Sequence, residues 1–191
     1  AATHFRFVNG GVPPPTEPER LPSARSTASH NTLCLNEQSS ARLIRNERLE
    51  QSLGAVPLTL PNVVTCETSE DDSGIALVAT HDGYAERFGL NHTRFLALSA
   101  DGTRLAAKDR LASTRGELRL ARDLPFAIHF HLHPDVIPTL MESADAVDLL
   151  LSNGEHWQLS AAGAAISIEE STFTADPAGP QPSEQVVLRG L

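Results

Sequence analysis

The sequence predicts an all-β protein, an antiparallel two-layer β-sandwich, with a barrel as the closed alternative. No segment sustains the 3.6-residue apolar period of an amphipathic helix. Short alternating apolar runs recur instead, separated by Gly, Asp and Asn turn signals. The most strictly alternating run is Pro125 to Pro134, which holds three of the chain's eight histidines. On a strand, Ile128, Phe130 and Leu132 fall on one face and His129, His131 and His133 on the other. One face suits a core; the other is either a histidine-rich solvated surface or a site.

In chain order, His4–Val8 reads as a short strand ending at Asn9-Gly10-Gly11. The proline-rich run from Val12 to Pro22 follows as an exposed connection, because proline lacks the N–H a ladder needs. Residues 23–35 begin polar and then alternate into a strand. Ala41–Ile44 is expected to continue the sheet, and Arg45–Gln51 to form a helical turn. Val63–Thr68 and Ile75–Thr80 flank the turn-like Glu70–Gly74. His92–Leu98 and Leu105–Leu111 flank Asp101-Gly102, whose residues tolerate the positive φ of a tight hairpin. Glu117–Ala121 is a further strand before the histidine run. Val147–Leu151 and His156–Leu159 bracket Asn153-Gly154, the strongest hairpin signal of all, and Ala165–Glu170 and Glu184–Leu188 complete the set. No βαβ unit and no fixed-period repeat is present. A chain of 191 residues is long enough for one domain, residues 1–191, with a sizeable core.

The formal charge of −9 disfavours a general nucleic-acid binder, which needs clustered basic residues for counterion release. Lys108 is the only lysine; arginine supplies the other cations, so a locally positive groove for an acidic ligand stays open. The sequence has no apolar run long enough for a membrane span. Cys34 and Cys66 lack metal or redox spacing, and two buried free thiols are expected in preference to one disulfide. Ala1 begins beside a strand, so the chain reads as a mature product or a piece of something longer.

Four places concentrate polar chemistry. In Arg25–Thr32, His30 and Asn31 stand at the entry to a strand, where Ser, Thr and Asn also serve ordinary turns. His81-Asp82-Gly83-Tyr84 offers an imidazole, a carboxylate and a phenol at a strand end. Arg87 to Arg94 adds two arginines and His92, with Arg94 expected on a solvated edge. The histidine file is the fourth. His156-Trp157 offers a binding platform or a rim residue.

In order and spacing, Arg25-Ser26-Thr27-Ala28-Ser29-His30-Asn31-Thr32, then His81-Asp82-Gly83-Tyr84 with Arg87 and His92-Thr93-Arg94, then Phe130-His131-Leu132-His133-Pro134 resembles the C-terminal part of heparinase II/III-like proteins. The resemblance runs from about Phe5 to Leu188. It implies a polysaccharide lyase acting on a uronic-acid polymer such as heparan sulfate or alginate. In such lyases an N-terminal (α/α) toroid joins antiparallel β domains, and the cleft lies between them. This chain then corresponds to the β portion, partnered by the toroid and an acidic polysaccharide, periplasmic or secreted, with little turnover when isolated. For such a cleft the candidates in this chain are His30, His81 and His131 in supporting catalytic roles, and Asn31, Tyr84, Arg87, His129 and His133 as substrate contacts. The family's catalytic tyrosine belongs to the toroid, so Tyr84 does not inherit that role. In zinc-containing relatives the histidine matching His30 binds the metal beside an aspartate, which aligns here with Asn9, a poorer ligand. Two other readings stay open. One is a non-catalytic carbohydrate-binding or interaction module; the other is a free-standing metal enzyme using His129, His131 and His133.

Overall fold

The computed structural model describes residues 26–43, 57–114 and 124–191. The expectations for His4–Val8, Asn9, Arg45–Gln51 and Glu117–Ala121 lie outside them. Among the described residues the fold is all-β and antiparallel, as the alternation predicts. Its strands are β1 (Leu33–Leu35), β2 (Arg42–Leu43), β3 (Pro57–Thr59), β4 (Val64–Asp71), β5 (Gly74–Tyr84), β6 (Leu90–Ser99) and β7 (Leu105–Ser113). They continue with β8 (Phe126–His131), β9 (Ile137–Leu140), β10 (Ala146–Leu150), β11 (His156–Ser160), β12 (Ala165–Phe173) and β13 (Gln181–Gly190). Helix is confined to a 3₁₀ turn at Thr27–Ser29 and a four-residue segment, α1 (Ala85–Phe88). No helix among the described residues is long and apolar enough to cross a membrane.

The residues group into two compact units. One holds residues 26–39 and 124–191. Its four-stranded sheet has the order β1-β8-β13-β12, and a three-stranded sheet has the order β11-β10-β9. Register sorts the side chains here. Ile128 lies opposite both Leu33 and Leu188, and Leu188 opposite Ile166, which gathers an apolar face. All four are buried. On the other face His129 meets Val187, His131 meets Gln185, and Gln185 meets Glu169. The period-two pattern therefore delivers core to one side and imidazoles to the other. β8 ends at His131, so His133 lies beyond the strand and outside the expected file.

The other unit holds 40–43 and the described part of 57–122. Its sheet is the meander β4-β5-β6-β7, with β2 and β3 as a separate two-stranded ladder. Arg42–Leu43 thus pairs with Pro57–Thr59 and does not extend the larger sheet. The hairpin between β4 and β5 is tighter than the sequence suggests, with the strands running to Asp71 and Gly74. The turns at Gly102 and Gly154 do carry the positive φ, 70° and 83°, that their Asp-Gly and Asn-Gly pairs favour. Tyr84, Leu90 and His92 are the residues of this unit buried as a whole, among those described. Both cysteines are free thiols; Cys34 is buried, but Cys66 is exposed because every residue of edge strand β4 is.

β9 was not legible in the sequence. Pro138 interrupts its pattern, and the strand tolerates it at a sheet edge, where the missing N–H costs no ladder bond.

Candidate functional site

In the first unit the segment 26–32 is tied to the histidine face of β8. Asn31 Oδ1 accepts the His131 backbone N–H at 2.7 Å, and the His129 N–H donates to Thr32 O at 3.1 Å. The His131 ring is held at both nitrogens. Nε2 lies 2.9 Å from the Ala28 carbonyl, which can only accept, so Nε2 carries the proton and Nδ1 accepts from the Ser171 hydroxyl at 2.7 Å. Burial lowers the pKa of His131. The Ala28 hydrogen bond opposes that shift, and the neighbouring His129 and His30 reinforce it. The ring is neutral near pH 7.

His129 is buried and stacks on His131, with centroids 6.0 Å apart and planes 11° from parallel. Its Nδ1 is 3.0 Å from Gln185 Oε1, to which it donates. His30 is half-buried, its pKa lowered by burial, and among the described residues its ring makes no hydrogen bond. His133 is exposed, packs edge-on against Phe173 at 4.8 Å, and accepts the Asp135 N–H at its own Nδ1. His129, His131 and His133 therefore do not converge on a shared point, which removes them as a three-histidine metal site.

The second unit holds a different construction. Gly83 N–H donates to His81 Nδ1 at 3.1 Å, and His81 Nε2 lies 3.1 Å from His92 Nδ1. His92 Nε2 is 2.6 Å from Asp109 Oδ1, and Arg94 grips the same carboxylate with Nε at 2.8 Å and Nη2 at 2.9 Å. Burial drives the His81 pKa down to about 4; the nearby His92 adds to this and Asp82 opposes it. Burial alone would raise the Asp109 pKa, but hydrogen bonds from His92 and Arg94 outweigh it and leave the carboxyl below its ordinary range. Arg94 is a buried-pair residue here, not the solvated edge the sequence suggests.

Tyr84 is fully buried against the rings of His81 and Phe88, where the sequence suggests an exposed phenol. Arg87 donates to Gly83 O at 3.4 Å and stacks over Phe88. Beside it a cavity of about 390 Å³ is lined by Ser40, Asn62, Asp82, Gly83 and Glu86 among others.

The expected trio thus divides: His30 and His131 share one unit, and His81 belongs to the other. Sequence reasoning missed Asp109, Ser171 and Gln185. Asp109 was within reach, because counting outward from the Asp101-Gly102 turn sets it opposite Arg94. Ser171 and Gln185 carried no local signal. Among the described residues no three His, Cys, Asp or Glu side chains gather around a point that would hold a metal ion. His30 alone represents the implied zinc set there, and one imidazole does not make a zinc site.

The heparinase II/III-like C-terminal family matches residues 5–191. FtsZ-localized protein C of Caulobacter vibrioides is 34% identical over 88 residues, which is 44% of this chain and 15% of that protein. Among solved structures, the heparan sulfate lyase HepC of Pedobacter heparinus superposes with a TM-score of 0.60 at 15% identity, over 87% of this chain and 22% of that one. A heparinase III gene product superposes at 0.58 and 13% identity with the same coverage. The chain therefore spans under a quarter of the length of each of these proteins, and the structural likeness speaks to the fold.

Proposed function

We propose, on the premise that this chain belongs to the heparinase II/III-like C-terminal family, that it is the β portion of a polysaccharide lyase, forming one wall of a cleft for β-elimination on a uronic-acid polymer. The other wall is an N-terminal helical toroid of the same protein, and the whole works in the periplasm or outside the cell. One observation carries the reading. The Asn31 Oδ1 to His131 N–H bond joins the first and last of the three stretches on which the family resemblance rests, so those two form a single surface.

The chemistry suits these groups. Elimination moves the C5 proton of a uronate to a base, the C5–H electrons form the C4=C5 double bond, and the C4–O bond breaks with protonation of the leaving oxygen. A neutral imidazole can take the first proton. His30 has the depressed pKa and an uncommitted ring among the described residues. His131, with both nitrogens engaged, orients the surface and is not itself the base. His81 and Arg87 belong to the other unit, where they keep a supporting role.

The test is an assay of the longer protein on a panel of uronate polymers, following the absorbance of unsaturated product, with His30→Ala and His131→Ala as variants. Loss of a general base costs roughly 10²–10⁴-fold in rate. Activity unchanged in both variants removes the assignment. A second reading, a non-catalytic carbohydrate-binding or interaction module, is favoured by the relative at 34% identity, which is named for its localisation to FtsZ and not for catalysis. Saturable glycan binding without unsaturated product marks that case.

A further inference from the structure

We infer that His81, His92 and Asp109 form a proton-sensitive latch that holds the Asp82–Gly83 corner beside the 390 Å³ cavity, closed while His81 is neutral and released when it takes a second proton. Proton counting leads there. Gly83 N–H can only donate, so His81 Nδ1 must keep its lone pair and the ring proton sits on Nε2. That proton points at His92 Nδ1, so the His92 proton sits on Nε2 and goes to Asp109. At the far end Arg94 can only donate. Every link in the series already holds one proton, and both ends are closed by obligate donors.

An added proton therefore sets two donors against each other wherever it settles. On His81 Nδ1 it meets the Gly83 N–H. On the Asp109 carboxyl it meets His92 Nε2–H, and turning the His92 tautomer only moves the conflict to His81. His92 is 2% exposed and the Asp109 side chain 6%, so those inner links have no water to accept the displaced donor. The Gly83 end is partly exposed and yields first.

The corner is built to register that loss. Asp82 Oδ1 accepts the N–H groups of Asn62 and Val63 at 2.8 and 3.1 Å, and Asp82 N–H returns to Val63 O at 3.2 Å. Gly83 is wedged against Ser40, with no room for a Cβ. Release of Gly83 moves the wall of the cavity. The groups facing His81 are Asp82 and the Tyr84 ring, 5.7 Å away, on its own strand, the apolar Val64 opposite on β4, His92 on β6 with Arg94 behind it, Asp109 on β7, and Arg87 and Glu86 of α1 through the corner. Burial, His92 and Asp82 act on His81 with a net downward shift, which keeps the latch closed through neutral pH.

Histidine-ring nitrogen NMR on the 191-residue chain tests this directly. Both His81 and His92 should appear as Nε2–H tautomers at pH 7. On titration toward pH 4, the backbone amides of Gly83, Asn62 and Val63 should move with the midpoint of the His81 ring. In His81→Gln, whose side-chain amide can still donate to His92 but takes no proton, the Gly83 movement should vanish. An Nδ1–H tautomer at either ring overturns the latch. So does a Gly83 shift whose midpoint is unchanged in His81→Gln, since Asp82 would then be its cause. If that variant fails to fold, the tautomers of the unaltered chain and the midpoints of its Gly83 amide and His81 ring still decide.

Discussion

Replacing Asp109 by Asn is the perturbation to which the second unit should respond most. The carboxylate binds Arg94 through two nitrogens and receives His92, with side chains 6%, 14% and 2% exposed respectively. At an effective dielectric of about 20, unit charges roughly 4 Å apart attract by about 4 kcal/mol. Breaking a buried pair on one side costs about 3–5 kcal/mol, because the remaining charge stays buried. Asparagine keeps the volume and one acceptor for His92, so the loss comes from the Arg94 pairing, and about 3 kcal/mol is expected. With a urea dependence of about 1–3 kcal/mol per molar, the midpoint falls by roughly 2 M. Tyr84, the only tyrosine, lies in the same unit, so tyrosine derivative absorbance reports it; Trp157, the only tryptophan, reports the other. Glu169→Gln is the comparison. Its pair with Arg189 is solvent-exposed, and exposed pairs are worth about 0–1 kcal/mol. A tyrosine midpoint in Asp109→Asn within roughly 0.5 M of the unaltered chain refutes the burial reasoning.

Three further outcomes follow from the same geometry. Both His81 and His131 have folded pKa values below the ordinary imidazole, so the unfolded chain binds more protons as the solution acidifies. Their contribution is complete above the unfolded pKa and is lost as pH falls toward the folded one. For His81, between about 6.5 and about 4, this removes at most about 2 kcal/mol from pH 7 to pH 5, less screening at its partly exposed ring; urea midpoints at the two pH values measure it. Asn31→Ala leaves the His131 N–H without its acceptor and should cost about 1–3 kcal/mol by tryptophan-detected unfolding, whereas Asn31→Asp, which keeps an acceptor oxygen, should cost less. Gly83→Ala places a Cβ 2.8 Å from Ser40 O and 2.9 Å from Ser40 Cβ, and should lower the tyrosine-detected stability by about 1–3 kcal/mol.

The alternation of Ile128 and Phe130 with His129 and His131, and the Asp101-Gly102 and Asn153-Gly154 turns, settle by themselves the all-β class, the faces and two hairpins. These depend on neighbours in the chain, where period-two geometry and the φ tolerance of glycine act alone. Even the Arg94–Asp109 pairing follows from the turn once positions are counted outward. The partners of His131 do not. Ala28 and Ser171 reach it from 103 and 40 residues away, through pairings of β1, β8, β13 and β12 that no local pattern encodes. Tyr84 and Arg94 looked like surface chemistry for the same reason. Whether a polar side chain meets water or a partner is decided by which distant strand closes over it, and only the tertiary structure supplies that strand.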